Sequence, residues 1–395
     1  MATESFDHPF VNKIRTGGLM VGALCAVLSV IGFISEQQQF FQSYIVGYIY
    51  WLCISLGCLS LLMLHHLVSG RWGFVIRRLL ESGARTLPLM VVLFIPIIFG
   101  MHNLYEWMDA DVVANDPVLK IKSAYLNETG FLFRAVIYFA IWLGMTFFLT
   151  KWSRTQDQTG DPGLKSRMIN LSGPGIPVFI LAVTFASTDW VMSLEPHWFS
   201  TIFGFIFVVG QVLAAMAMCI IWVVNLSDAD VYSEIDASKY LSDLGTLMFA
   251  FTVLWAYVSF SQYLIIWSAN LAEEAPWYIK RGQGGWEIMS VGLILFHFVL
   301  PFFLLLQRAI KRRAQLLLVI AVLMLVMRYV DLYWYIAPSF SHGGLSTFHP
   351  HWLDLTIPLS IGGFWLAFFT MQLKRVALVP LHDPRMAETF AGEGH

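Results

Sequence analysis

Ten apolar runs, each long enough to cross a bilayer, constrain this chain more than any other feature of its sequence. They are read at about 17–34, 43–67, 87–105, 130–151, 176–193, 202–225, 244–268, 287–306, 315–336 and 353–373. A hydrocarbon core of about 30 Å takes roughly 20 helical residues, and inside it every backbone N–H and C=O must be satisfied within the protein. The runs are continuous rather than alternating, which argues against a β-barrel. Charged residues make up only 13% of the chain, about half the share usual in a soluble domain. The expected fold class is therefore all-α integral membrane, with residues 1–395 as one polytopic domain. The first run follows Lys13 and Arg15 and has no small-residue cleavage pattern, so it is expected to be a retained helix.

Loop charge gives an orientation. With the N-terminus inside, 18 of the 24 Lys and Arg fall in inner segments. Four (Lys120, Lys122, Lys280, Arg281) fall in outer ones, and Arg134 and Arg328 lie within runs. This asymmetry predicts two cytoplasmic termini. The formal net charge of −2 and the lack of a basic groove-sized cluster exclude a nucleic-acid role. Cys25, Cys53, Cys58 and Cys219 all sit in apolar runs and form no cluster or haem motif, so any redox centre is expected on partner subunits. The segment Arg71–Leu80 is basic and amphipathic and is expected to lie on the inner leaflet, beside lipid.

A tandem four-helix repeat is faintly visible, with residues 43–193 as the first copy, 202–336 as the second and 353–373 as a final helix. Phe99-Gly100-Met101-His102 ends the third run much as Phe260-Ser261-Gln262-Tyr263 ends the seventh. Pro196-His197-Trp198 precedes the sixth run and Pro350-His351-Trp352 the tenth. A shift of four helices preserves orientation, so the copies are expected to be parallel. Gly18 and Gly22 form a small-residue face for close helix packing.

Ionisable groups inside a bilayer are costly and commonly mark an ion, proton or substrate path. Here they gather toward one end of the runs. His102 and Glu106 are four apart and are expected to share one helix face; Arg328 and Asp331 are three apart and do likewise. Asp189 has no cation within a turn of its own segment and is read as a carboxylate available for proton exchange. Glu195, His197, His349, His351 and Asp354 fall at the outer rim, where solvated loop groups are the plainer reading. Carboxylate, imidazole and guanidinium in a low-dielectric wall are what proton uptake and release require. His297, near the middle of the eighth run, has no partner histidine at matching depth, which argues against a bis-histidine haem. It is either a hydrogen-bonded core residue or a step in a proton wire. His65 and His66 lie toward the inner end of the second run. Ser261, Tyr263, Ser268 and Asn270, with Tyr257 further in, give the end of the seventh run a polar character that could hold water.

The stretches Asp189-Trp190-Val191-Met192-Ser193-Leu194-Glu195-Pro196-His197-Trp198-Phe199-Ser200, Trp267-Ser268-Ala269-Asn270-Leu271-Ala272-Glu273-Glu274-Ala275-Pro276-Trp277-Tyr278 and Arg328-Tyr329-Val330-Asp331-Leu332-Tyr333-Trp334 resemble the ActF subunits of bacterial alternative complex III. The resemblance runs over essentially the whole chain. That family is similar to the polysulfide-reductase (NrfD-like) membrane subunits and has a sister subunit, ActC, of the same fold. The resemblance implies membership of a quinol:cytochrome c oxidoreductase in a bacterial cytoplasmic membrane. A quinol such as menaquinol would be the substrate, and iron–sulfur clusters and c-type haems would sit on partner subunits.

Three readings follow. The first is a membrane subunit of a quinol-oxidising respiratory complex, contributing a quinone-type pocket or a proton path near the periplasmic face. Its candidate residues are His102, Glu106, Asp189, Glu195, His197, His297, Arg328 and Asp331, with no catalytic or metal-ligating residue of its own. The second is a secondary transporter with parallel repeats. The third is a structural scaffold, which accounts for the span count but not for Asp189.

Overall fold

Most of the apolar runs become helices that extend beyond them at one end or both, because a helix continues until something satisfies its open ends. The computed structural model describes residues 6–227, 237–340 and 347–380. Among these, ten helical segments are long and apolar enough to span a membrane, and no strand occurs. They are α1 (Pro9–Ser35), α2 (Gln37–Val68), α3 (Arg71–Phe99), α4 (Glu128–Thr159), α5 (Gly163–Trp190), α6 (Phe203–Asn225), α7 (Ala237–Ala269), α8 (Trp286–Leu306), α9 (Ala314–Ile336) and α10 (Leu353–Leu373). The chain is a multi-pass, all-helical protein. Of the inner cations counted from sequence, Arg385 lies outside the described residues.

The ends show why the helices stop where they do. Asn127 caps α4 by accepting from the N–H of Gly130 at 2.8 Å, and Gly160 closes it in the left-handed region at φ 67°. Between α3 and α4, Asp109 and Asp116 cap two short helices, Ala110–Asn115 and Pro117–Lys122. Two acidic residues of this loop thus serve local backbone donors.

The helices α2 and α6 are the enclosed ones: 83% and 94% of their most apolar windows are buried, against 22% for α8. They meet backbone to backbone at Gly57, where a Cβ would fall 2.0 Å from the carbonyl oxygen of Gln211. The Gly18–Gly22 face of α1 packs on α10, with a Cβ of Gly363 placed 2.3 Å from the Gly18 oxygen. That is the small-residue packing the sequence foretold.

Two elements depart from expectation. Residues Gly73–Ala84 are buried throughout, including Arg77, Arg78 and Glu81, so Arg71–Leu80 does not lie on the leaflet surface. The polar side of this helix faces the inner part of α4 instead of headgroups. There Glu81 accepts from Arg77 Nε at 3.0 Å, Arg78 at 2.7 Å and Ser153 at 2.5 Å, while Arg78 also pairs with Asp157. Four charges neutralise one another in protein, which removes the need for water or lipid phosphate. The segment then continues into the third apolar run, interrupted at Phe94 ahead of Pro96 and again at Gly100.

The second departure is in α8. Residues Leu293–Val299 form a π-helical turn containing His297. Pro301 has no N–H to offer the carbonyl four residues earlier, that of His297, and the helix widens just before it.

Candidate functional site

Asp189 is fully buried at the end of α5. Its Oδ2 accepts from Arg134 Nε at 2.7 Å and from the Tyr138 hydroxyl at 2.7 Å, both on α4. The expectation of a carboxylate without a cation is therefore corrected. The partner comes from a neighbouring helix, where sequence spacing gives no sign of it. Arg134 is held in turn, its guanidinium 3.8 Å above the Tyr125 ring and its Nη1 donating to the Tyr125 carbonyl at 3.0 Å.

The second pair lies on α9. Arg328 and Asp331 are both buried and bonded to each other, as their i,i+3 spacing predicts. The Trp255 indole of α7 donates to Asp331 Oδ2 at 3.2 Å, and Arg328 Nη2 comes 3.9 Å from the Cys53 sulfur of α2. Room for the guanidinium is made by Gly210 of α6, where a Cβ would sit 2.3 Å from Arg328 Cζ.

His297 adjoins this pair through Trp255, with ring centroids 4.1 Å apart. It is fully buried, and neither ring nitrogen has a hydrogen-bond partner among the described residues. The hydrogen-bonded core reading does not hold in the form expected. What His297 meets is the tilted ring of Trp255, packed against it from within the π turn.

At the end of the bundle where segments 105–127, 191–202 and 270–285 meet, a pocket of about 590 Å³ is lined by Glu106, Glu195, His197, Trp198, Trp277 and Lys280 among others. Trp198 and Trp277 stack at 4.5 Å. Glu195 is no solvated loop group. It accepts from Arg281 at 2.8 Å and Ser339 at 2.7 Å, with Lys280 3.9 Å away. Burial tends to raise its carboxyl, but Arg281, Lys280 and Ser339 outweigh burial and hold it below the ordinary value. Arg281 is itself buried, 3.6 Å over the Trp277 ring and donating to the carbonyls of Trp277, Trp334 and Tyr335. His197 is exposed and reaches Asp116 at 2.7 Å.

His102 does not join this group. The helix Met101–Leu104 ends before Tyr105, which is extended, so His102 and Glu106 do not share a helical face and His102 is exposed. The polar end of α7 also turns outward, with Tyr257 and Tyr263 exposed, while Gln262 is buried between Ser200 and Tyr278. At the rim, Asp354 is bound by Ser43 at 2.5 Å and Tyr333 at 2.9 Å, and His351 lies 3.4 Å from Glu36.

Arg134 and Arg281 are the residues that sequence reasoning left out. Arg134 carried a signal as a lone cation inside an apolar run. Arg281 carried one in standing a helical turn after Trp277, the spacing that brings a guanidinium over an indole. Among the described residues no group of three or more His, Cys, Asp and Glu gathers in a way that could hold a metal ion. Comparison with known proteins gives no matching family model and no matching curated relative.

Proposed function

We propose that this chain is a membrane subunit of a quinol:cytochrome c oxidoreductase of the alternative complex III type, and that its own part is to hold and move protons near the periplasmic face. One observation carries the reading. Helices α5 and α9, four apart in the chain, each bear a buried aspartate paired with an arginine, Asp189 with Arg134 and Asp331 with Arg328. A scaffold needs neither pair, because apolar residues of similar volume fill such sites at least as stably. A buried acid held by one cation and one neutral donor is a group whose proton affinity can be changed by a small movement of either partner.

In this reading the termini are cytoplasmic and the repeat is parallel. Iron–sulfur and multihaem cytochrome c subunits, with a sister NrfD-like subunit, would carry the electrons. The rim pocket supports a place for a quinol headgroup. Its volume lies within the range of small-molecule sites, the Trp198–Trp277 stack offers a flat apolar wall, and Glu195 and Glu106 bring carboxylates to its edge. The oxidation of a quinol releases two protons with two electrons. The carboxylates would accept the protons, and the electrons would leave on partner subunits.

The test is quinol-dependent reduction of the acceptor, with proton release followed, in vesicles containing the reconstituted complex. Asp189→Asn is expected to leave the complex assembled and to lower quinol oxidation or proton release. Wild-type rate and stoichiometry would remove Asp189 from the mechanism. The interruption of α3 at Pro96 and Gly100 favours a transporter as the second reading, since broken helices commonly mark substrate sites there. Purification in mild detergent separates the two: haem proteins that co-purify support the respiratory subunit.

A further inference from the structure

A cavity of about 20 Å³ lies between α2, α4, α5 and α6, lined mainly by buried residues. Three of its lining residues carry a buried polar atom with no hydrogen-bond partner among the described residues: the indole N–H of Trp142, the indole N–H of Trp190 and the side-chain carbonyl oxygen of Gln211. Two donors and an acceptor left open in an apolar interior are costly. One water molecule needs roughly 10–15 Å³ of such space and two to four polar partners. The cavity has the volume, and three of its lining residues offer candidate partners.

We propose that this cavity is a binding site for a single ordered water, held by Trp142, Trp190 and Gln211. Its place gives it consequence. On one side, Tyr138, which donates to Asp189, packs against both Trp142 and Trp190, with ring centroids 6.2 and 5.9 Å away. On the other side, the lining residues Cys53 and Phe207 both touch the Arg328 guanidinium, and Gly210, next to Gln211, makes the space it occupies. The water is thus a polar step set between the two acid–arginine pairs. That consequence rests on the proton reading above, whereas the site itself rests only on the cavity and its three open atoms.

The site is tested on the full chain in nanodiscs. A high-resolution experimental map is expected to show one density peak within hydrogen-bonding distance of Trp142 Nε1, Trp190 Nε1 and Gln211 Oε1. A dry cavity overturns the proposal. Nuclear magnetic resonance of ¹⁵N-indole groups, assigned with Trp142→Phe and Trp190→Phe, provides a second reading. Gln211→Met keeps the volume and removes the acceptor. It is expected to shift both indole signals and to slow their exchange with D₂O at least several-fold, while the other indoles stay in place. Unchanged shifts and exchange would count against the site even with the fold intact. Neither readout depends on Asp189→Asn. A null result for that variant removes the proton reading and leaves the water site standing, and the converse also holds.

Discussion

Arg134 of α4 and Asp189 of α5 meet with Nε 2.7 Å from Oδ2, and Asp189 is fully buried while the Arg134 side chain keeps 17% of its surface exposed. The pair is asymmetric: the acid is fully enclosed by protein and the cation is only partly so. Loss of the cation should therefore hurt more than neutralising the acid.

Arg134→Leu leaves Asp189 buried with Tyr138 as its hydroxyl donor, and is expected to cost about 3 kcal/mol, the lower end for a broken buried pair. Asp189→Asn keeps a polar partner for Tyr138 and should cost less. Thermal unfolding in detergent checks the order. Equal shifts would mean that the charge pairing is not what the site depends on.

Gly210→Ala should behave like Arg328→Leu. The added methyl meets the guanidinium at 2.3 Å, and α6 is too enclosed to yield. Displacing Arg328 leaves Asp331 buried without its cation, so both variants are expected to lose about 3–5 kcal/mol. Gly144→Ala on α4, where a Cβ meets nothing within 4 Å, is the control and should be neutral or stabilising by about 0.5–1 kcal/mol. Comparing the unfolding midpoints of the three variants decides the point.

The rim should be acid-sensitive through Glu195. Its carboxyl is held below the ordinary value by Arg281, Lys280 and Ser339 against the effect of burial. A depressed carboxylate contributes stability that is complete above its unfolded value of about 4.3 and is lost as pH falls through its folded value. Unfolding midpoints are thus expected to fall below about pH 4.3 on this account, and the Glu195→Gln protein should lack that part of the acid limb while being less stable at pH 7.

Orientation is open to chemical labelling. The four native cysteines are buried, so a single cysteine placed at exposed Asp111 gives a clean signal. An impermeant thiol reagent is expected to reach it from the periplasmic side, and a cysteine at Lys165 from the cytoplasmic side. The reverse pattern would invert the topology and with it the placement of the rim pocket.

The chain's own order of residues determined what depends on one helix at a time. Run length and apolarity set ten spans, because a helix satisfies its backbone locally. Glycines four apart set the α1 face, and i,i+3 spacing set the Arg328–Asp331 pair. Tertiary structure decided everything that depends on how helices are rotated against one another. It gave Asp189 the cation of α4, sent the charged face of Arg71–Ala84 inward to Ser153 and Asp157 of α4, and drew Glu195 onto buried Arg281. It also parted His102 from Glu106 where the third span breaks. Periodicity says which residues share a face. Only packing says what that face meets, since the energy of a buried charge depends on the partner that arrives from a distant part of the chain.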